Sequence, residues 1–176
     1  MEPLTDQQWT DLFRACRHFA WHLETRDWYA VDDEKQRFAR FLATGRRDHA
    51  AEAPDRQHWL GLMRATTAAG IQVRRARIVC EPASDYIRFS HAGAQPNIDA
   101  GEEIRWLPRR QASRIALPGN DFWLFDRDRV LFNYFTGHGR SAGHELATDA
   151  EAVRLCRSAF EAVWPLAIPH DRYKIA

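Results

Sequence analysis

Apolar residues recur at Trp9, Leu12, Phe13, Cys16, Phe19, Ala20 and Leu23, the spacing of one face of a helix lying on a core. Thr5 and Gln8 stand three apart just ahead of it, as in a capping box. The pattern predicts a first helix running to Leu23 and a break near Asp27. A second helix is predicted over 33–44, with Phe38, Phe41 and Leu42 inward and Gly45 as its stop. Arg46 to Glu52 reads as a surface loop. Pro54 and Asp55 open a third helix carrying Trp59, Leu60, Leu62 and Met63, ended by Gly70.

The pattern then changes. Ile71 to Val79 (IQVRRARIV) is rich in β-branched residues and bounded by Gly70 and Pro82, as a strand would be. A short helix is predicted over 84–94, capped by Ser84 or Asp85, and a strand over 103–107. A hairpin follows, with strands 122–125 and 130–135 around a turn at 126–129, and Ala142 to Ala147 reads as an edge strand. Thr148 and Glu151 have capping-box spacing before a closing helix with Val153, Cys156, Phe160, Val163 and Trp164 inward, stopped by Pro165. The residues beyond are expected to pack loosely. The fold class is α+β: N-terminal helices (5–70) on a small mixed sheet (71–164) with a closing C-terminal helix and a short tail, in one domain spanning 1–176.

Composition adds few constraints. A chain of 176 residues with 45% apolar content can bury a core without disulfides or metals. A net charge of +1 argues against a general polyanion binder. Only Lys35 and Lys174 are lysines, and the other 23 basic residues are arginines. That bias reads as GC-rich coding or as a use of Arg for stacking and bidentate pairing. Cys16, Cys80 and Cys156 are far apart, fitting reduced thiols in a cytoplasmic protein. The opening MEPLTDQQWTDLF is acidic and does not read as a signal peptide, and no apolar run is long enough to span a membrane.

Candidate chemistry concentrates between Pro82 and Asp126, at strand ends and loops, where sites usually lie. A salt-bridged surface would produce the same density of charge. His91, Glu102 and Asp126 are the acid–base candidates, and Glu102 with Asp126 would form a paired-carboxylate site if they met. Arg88, Arg105, Trp106, Arg109 and Trp123 are the candidates for a binding surface, because Arg and Trp most often anchor interfaces. Core packing explains either Trp equally well. Arg74, Arg75, Arg77, Arg105, Arg109, Arg110 and Arg114 would make a basic stripe for a phosphate backbone if their strands adjoin, with Trp106 to stack a base. Glu81, Glu102 and Glu103 are near enough to neutralise it. His18 and His22 share a helical face, but HFAWH lacks the glutamate of HExxH, so no metal is expected. His138 and His144 flank glycines in TGHGRSAGHE and read as turn histidines. Ser84, Ser113 and Ser158 lie in no GxSxG elbow, and the GHG at 137–139 is no phosphate loop.

Three stretches, SDYIR (84–88), GEEIRWLPR (101–109) and DFWLFD (121–126), together with Val163-Trp164 and Ile168-Pro169, resemble an actinobacterial family of uncharacterised domains of about this length. Members of that family are often encoded beside helix-turn-helix transcriptional regulators. The resemblance therefore implies a regulatory role and such a regulator as a protein partner, with no cofactor and no assigned catalytic residue. The order of elements is also similar to half of a phospholipase-D-like domain. That fold's chemistry needs the His and Lys of HxKxxxxD. The corresponding DFWLFDRD has the aspartate and neither of the others, so the resemblance implies fold without activity.

The leading expectation is a non-catalytic regulatory or interaction module, in which Arg105→Ala or Arg109→Ala abolishes partner binding without changing the melting temperature. The alternative is an enzyme acting on a phosphate- or carboxylate-bearing small molecule, held by Arg88, Arg105 or Arg109. Direct nucleic-acid binding is third.

Overall fold

The computed structural model describes residues 4–175, apart from the side chain of Asp33. Residues 1–3 and 176, the ends of the span expected as one domain, lie outside the described residues. A seven-stranded mixed sheet runs through the chain in the order β6-β5-β4-β1-β2-β3-β7.

Helix α1 (Asp6–Arg14) begins with the expected capping box: Thr5 and Gln8 exchange side-chain and backbone hydrogen bonds. It stops far short of Leu23. Residues 19–24 form β1 (Phe19–Glu24), a central strand of the sheet. The sequence expectation of one long helix is corrected here, and the cause is the Asp126 carboxylate. It accepts the backbone N–H groups of Arg17, His18 and Phe19 and so holds the chain in a turn where helical bonds would otherwise continue. His18 and His22 therefore share no helical face; His18 is exposed before the strand and His22 is buried within it.

A 3-10 turn (Asp32–Glu34) leads into α2 (Lys35–Thr44), which Gly45 ends in the left-handed conformation at φ +68°. Phe38 and Phe41 pack inward, whereas Leu42 is exposed, contrary to expectation. Helix α3 (His49–Ala68) starts earlier than expected because Asp48 caps it, its carboxylate accepting the Ala51 N–H. Pro54 therefore lies inside the first turns rather than at the start. Strand β2 (Gln72–Val79) runs parallel to β1. Helices α4 (Asp85–Ala92, capped by Ser84) and α5 (Gln95–Asp99) cross over to β3 (Glu103–Pro108), parallel to β2.

Strands β4 (Asp121–Phe125), β5 (Arg129–Phe135) and β6 (Ser141–Ala147) form an antiparallel meander joined to β1 through β4. His144 thus sits in a strand, not a turn. Helix α6 (Ala150–Val163) is capped by Asp149 rather than Thr148. The tail is not loose. Its residues Ile168–Pro169 form β7, antiparallel to β3, and Tyr173 is buried with its ring stacked on Trp106 at 5.7 Å.

The two faces of the sheet differ. On one face α6 covers Leu23, Ala76, Ile78, Leu107, Phe122 and Leu124, with Trp21 stacked on Phe160 at 4.8 Å. On the other, α1 and α3 cover one apolar cluster around Trp123 and Phe125. Helices α2 and α4 and the tail cover a second cluster around Trp106 and Phe89. A line of buried polar groups runs between these two clusters, and it organises the candidate site.

Candidate functional site

The alternation of β1 and β2 sends His22, Glu24, Arg75 and Arg77 to the same face, since register pairs His22 with Arg75 and Glu24 with Arg77. Arg75 lies at the centre. Its Nη1 is 2.6 Å from Glu24 Oε1 and its Nε is 2.7 Å from Glu102 Oε1. Arg77 makes a 2.7 Å ionic contact with the other Glu24 oxygen. Asn97 donates to the second Glu102 oxygen at 2.6 Å, and Arg56 from α3 reaches the Asn97 carbonyl oxygen. Burial disfavours the Arg75 charge, but the Glu102 and Glu24 charges and hydrogen bonds outweigh it and hold its pKa above the ordinary guanidinium value. The imidazole of His22 stacks on Trp123 at 4.2 Å, and burial with the Arg75 and Arg77 charges pushes its pKa well below the usual range.

The network continues toward β4 and β5. Asp121 accepts from the Thr25 N–H and hydroxyl, both at 2.8 Å, and from the Tyr29 hydroxyl. Asn133 lies between His22 and His144, bonding the latter at 2.9 Å. Glu102 and Asp126 do not form a carboxylate pair: each is bound by different partners. Asp126 is a backbone clamp, and the amides it accepts hold its carboxyl below the ordinary value although burial opposes this.

The binding-surface candidates are dispersed. Trp106 and Trp123 are 0% and 2% exposed and belong to different core clusters, so neither indole faces outward. The Arg109 guanidinium bonds the carbonyl oxygens of Thr25 and Ile78, the Asp27 carboxylate and the Cys80 sulfur. Arg105 donates to the Trp164 carbonyl at 3.1 Å and lies over the Trp164 ring at 4.3 Å. Arg88 is half-buried on α4 and is itself engaged. Five of the seven arginines of the expected basic stripe face a carboxylate: Arg74 faces Glu103, Arg75 and Arg77 face Glu24, Arg109 faces Asp27 and Arg110 faces Glu81.

One cleft does gather three candidates. His91, Glu102 and Arg105 line a recess of about 670 Å³ together with His170 and Tyr173 from the tail. The Trp106 indole N–H donates to His170 Nδ1 at 3.1 Å, which places the remaining ring proton on Nε2. His91 lies beside it, with a buried Nε2 that has no hydrogen-bond partner. Burial pushes both imidazoles below their ordinary pKa, and the neighbouring His91 lowers that of His170 further. No local pattern pointed to His170, which follows the stop signal of Pro165. Among the described residues, no cluster of three or more His, Cys, Asp or Glu side chains is placed to hold a metal ion. No described helix is long and apolar enough to cross a membrane.

A second recess, about 960 Å³, lies between α1 and α3 with Phe13, Leu62 and Ile71 in its floor. The sequence concealed it, because the same small residues that line it read as ordinary helix formers.

Among solved structures, the chain is similar to TrmBL2, an archaeal chromatin protein described with a novel mode of DNA binding, at 10% identity and a TM-score of 0.47. That match covers 92% of this chain, which spans about half (49%) of the chromatin protein. It is also similar to Nuc, a phospholipase D family member from Salmonella typhimurium, at 8% identity and a TM-score of 0.49, over 91% of this chain and 86% of the other. No curated protein matches. A family model described as a domain of unknown function, DUF6879, matches residues 7–175, and the chain belongs to that family.

Proposed function

We propose that this chain is a non-catalytic interaction module of a regulatory pathway. The observation that carries the reading is that both candidate carboxylates are engaged within the fold. A carboxylate whose charged form is held by hydrogen bonds and ion pairs is the weaker base. Glu102 already binds Arg75 and Asn97, and Asp126 already binds three backbone amides. The Arg105 and Arg109 guanidiniums hold backbone carbonyls. What remains open to a partner is surface shape, above all the recess between α1 and α3 with its apolar floor. A helix-turn-helix regulator is the partner class that the family resemblance implies.

Purification from the protein's own cells followed by native mass spectrometry tests this reading. A second polypeptide at fixed stoichiometry supports it. A chain that arrives alone with a small bound mass refutes it.

That second outcome would favour an enzyme acting on a phosphate- or carboxylate-bearing small molecule. One observation supports such a reading: the partnerless Nε2 of His91 in the cleft shared with Arg105 and His170. If so, His91→Asn removes turnover while the fold persists.

A further inference from the structure

The recess between α1 and α3 has a built character that the fold alone does not require. Its floor is apolar, formed by Phe13 and Ile71, both buried, with Leu62 half-buried. Its α3 wall presents Gly61, Ala65 and Ala69 at successive turns, all exposed. A side chain at Gly61 would meet no atom within 4 Å, so the wall is open to an incoming body. Small residues from Gly61 onward leave the C-terminal part of that wall flat, and a flat side lets a second helix approach closely. The wall runs from Pro54 to Ala69, a length of roughly 22 Å at helical rise, enough for about four turns of a partner helix.

Charge selects the occupant. Arg14 and Arg17 stand at the edge of the recess, and none of the side chains lining it is acidic. An apolar floor with a cationic rim fits an amphipathic helix whose flanks carry Glu or Asp. We infer that this groove receives an acidic amphipathic helix of a partner protein. The inference rests on the interaction-module reading and supplies the partner's chemistry.

The test uses a fluorescently labelled helical peptide of about 16 residues, with leucines at helical i, i+3, i+4, i+7 spacing and glutamates on its flanks. A control peptide keeps the leucines and replaces every Glu by Lys. Fluorescence anisotropy with the full chain should show the Glu peptide binding at least about tenfold more tightly than the Lys peptide, with affinity falling as salt rises. Ala65→Trp fills the groove and should weaken binding by about tenfold or more. Gly61→Glu enters open space and adds a like charge, so it serves if Ala65→Trp disturbs folding. Equal binding of the two peptides, no binding of either, or undiminished binding by a folded groove variant would overturn the inference. The partner recovered from cells separates the two proposals. A partner retained by Gly61→Glu and by Arg17→Glu removes the groove and leaves the module. Cells that yield no partner remove the module itself.

Discussion

The imidazole rings of His91, on α4, and His170, in the tail, lie 4.4 Å apart from centroid to centroid, inclined by 31°. The contact ties the tail to the crossover between β2 and β3. Trp106 and Tyr173 pack around it, Asp171 is the adjacent acid, and Glu102, Glu103 and Arg105 line the same cleft. Tyr173 in turn donates to Glu81 at 3.2 Å.

Two neutral imidazoles can share this space, but two imidazolium ions cannot without repulsion. Burial lowers both pKa values; for His91 a hydrogen bond with the Tyr173 backbone partly offsets it, and for His170 the His91 charge lowers it further while Asp171 opposes. A histidine whose folded pKa is depressed binds fewer protons than its unfolded counterpart once the pH falls below about 6.5. Stability is therefore intact above that value and declines as the pH falls below it. His22 and His144, lowered chiefly by burial, act in the same direction. Urea midpoints should fall between about pH 7 and pH 5, and His170→Asn should flatten the slope. A midpoint that stays level across this range would show that the imidazoles charge freely in the folded chain.

Arg75 has a different weight. It is the shared partner of Glu24 and Glu102, and all three side chains are close to fully buried. Removing it leaves Glu24 with Arg77 alone and Glu102 with only the neutral Asn97 amide, both away from water. Breaking a buried pair in this way costs about 3–5 kcal/mol. Arg75→Leu should therefore lose about 3–5 kcal/mol in urea denaturation, whereas Arg74→Leu, whose pair with Glu103 is half-exposed, should lose less than about 1 kcal/mol. Equal losses at the two positions would mean that water reaches Arg75.

These two relationships mark where the sequence was legible. Gly45, Gly70 and the capping box at Thr5 fixed helix ends because their signals are local backbone chemistry. Strand β2 was visible through its β-branched residues. Strand β1 was not: FAWHLE contains none, and both of its faces are covered, so apolar and polar positions do not alternate cleanly. Its side chains also fell into the helical spacing begun by Trp9 and Phe13. The interruption comes from Asp126, more than a hundred residues away, and no local pattern carries it. The same blindness applies to the site. Seven arginines read as a stripe with Glu81, Glu102 and Glu103 close enough to pair with it, and strand register adds Glu24, which faces Arg75 and Arg77.

Register also changes what an arginine substitution should do. Arg109 links the Thr25 and Ile78 carbonyls to Asp27, and its charge is stabilised by Cys80 and Asp27 against partial burial. Arg109→Ala strands those acceptors, so it should lower stability by about 1–3 kcal/mol. The sequence alone suggested an unchanged melting temperature, and calorimetry decides between the two. A melting temperature equal to that of the wild type would return Arg109 to the set of surface residues available to a partner.

Asp126 combines two roles that different substitutions separate. Its backbone lies at φ +53°, in the left-handed region that Asp and Asn tolerate better than other residues with a side chain. Its carboxylate accepts from the N–H groups of Phe19 at 3.1 Å, Arg17 at 2.9 Å and His18 at 2.8 Å, with the Cys16 thiol at 3.5 Å. Asp126→Asn keeps the conformation and one acceptor oxygen but loses the charge, at a cost of about 1–2 kcal/mol. Asp126→Gly keeps only the conformation. Asp126→Ala keeps neither and adds about 1 kcal/mol of left-handed strain to the lost bonds. Stability in urea should therefore fall in the order Asn, Gly, Ala. Because the carboxyl pKa is depressed in the folded chain, the wild-type advantage over Asp126→Asn is present above the ordinary aspartate range and disappears as the pH falls through the depressed value. If Gly and Ala prove equally destabilising at neutral pH, the left-handed backbone contributes nothing and the amide contacts alone hold the turn between α1 and β1.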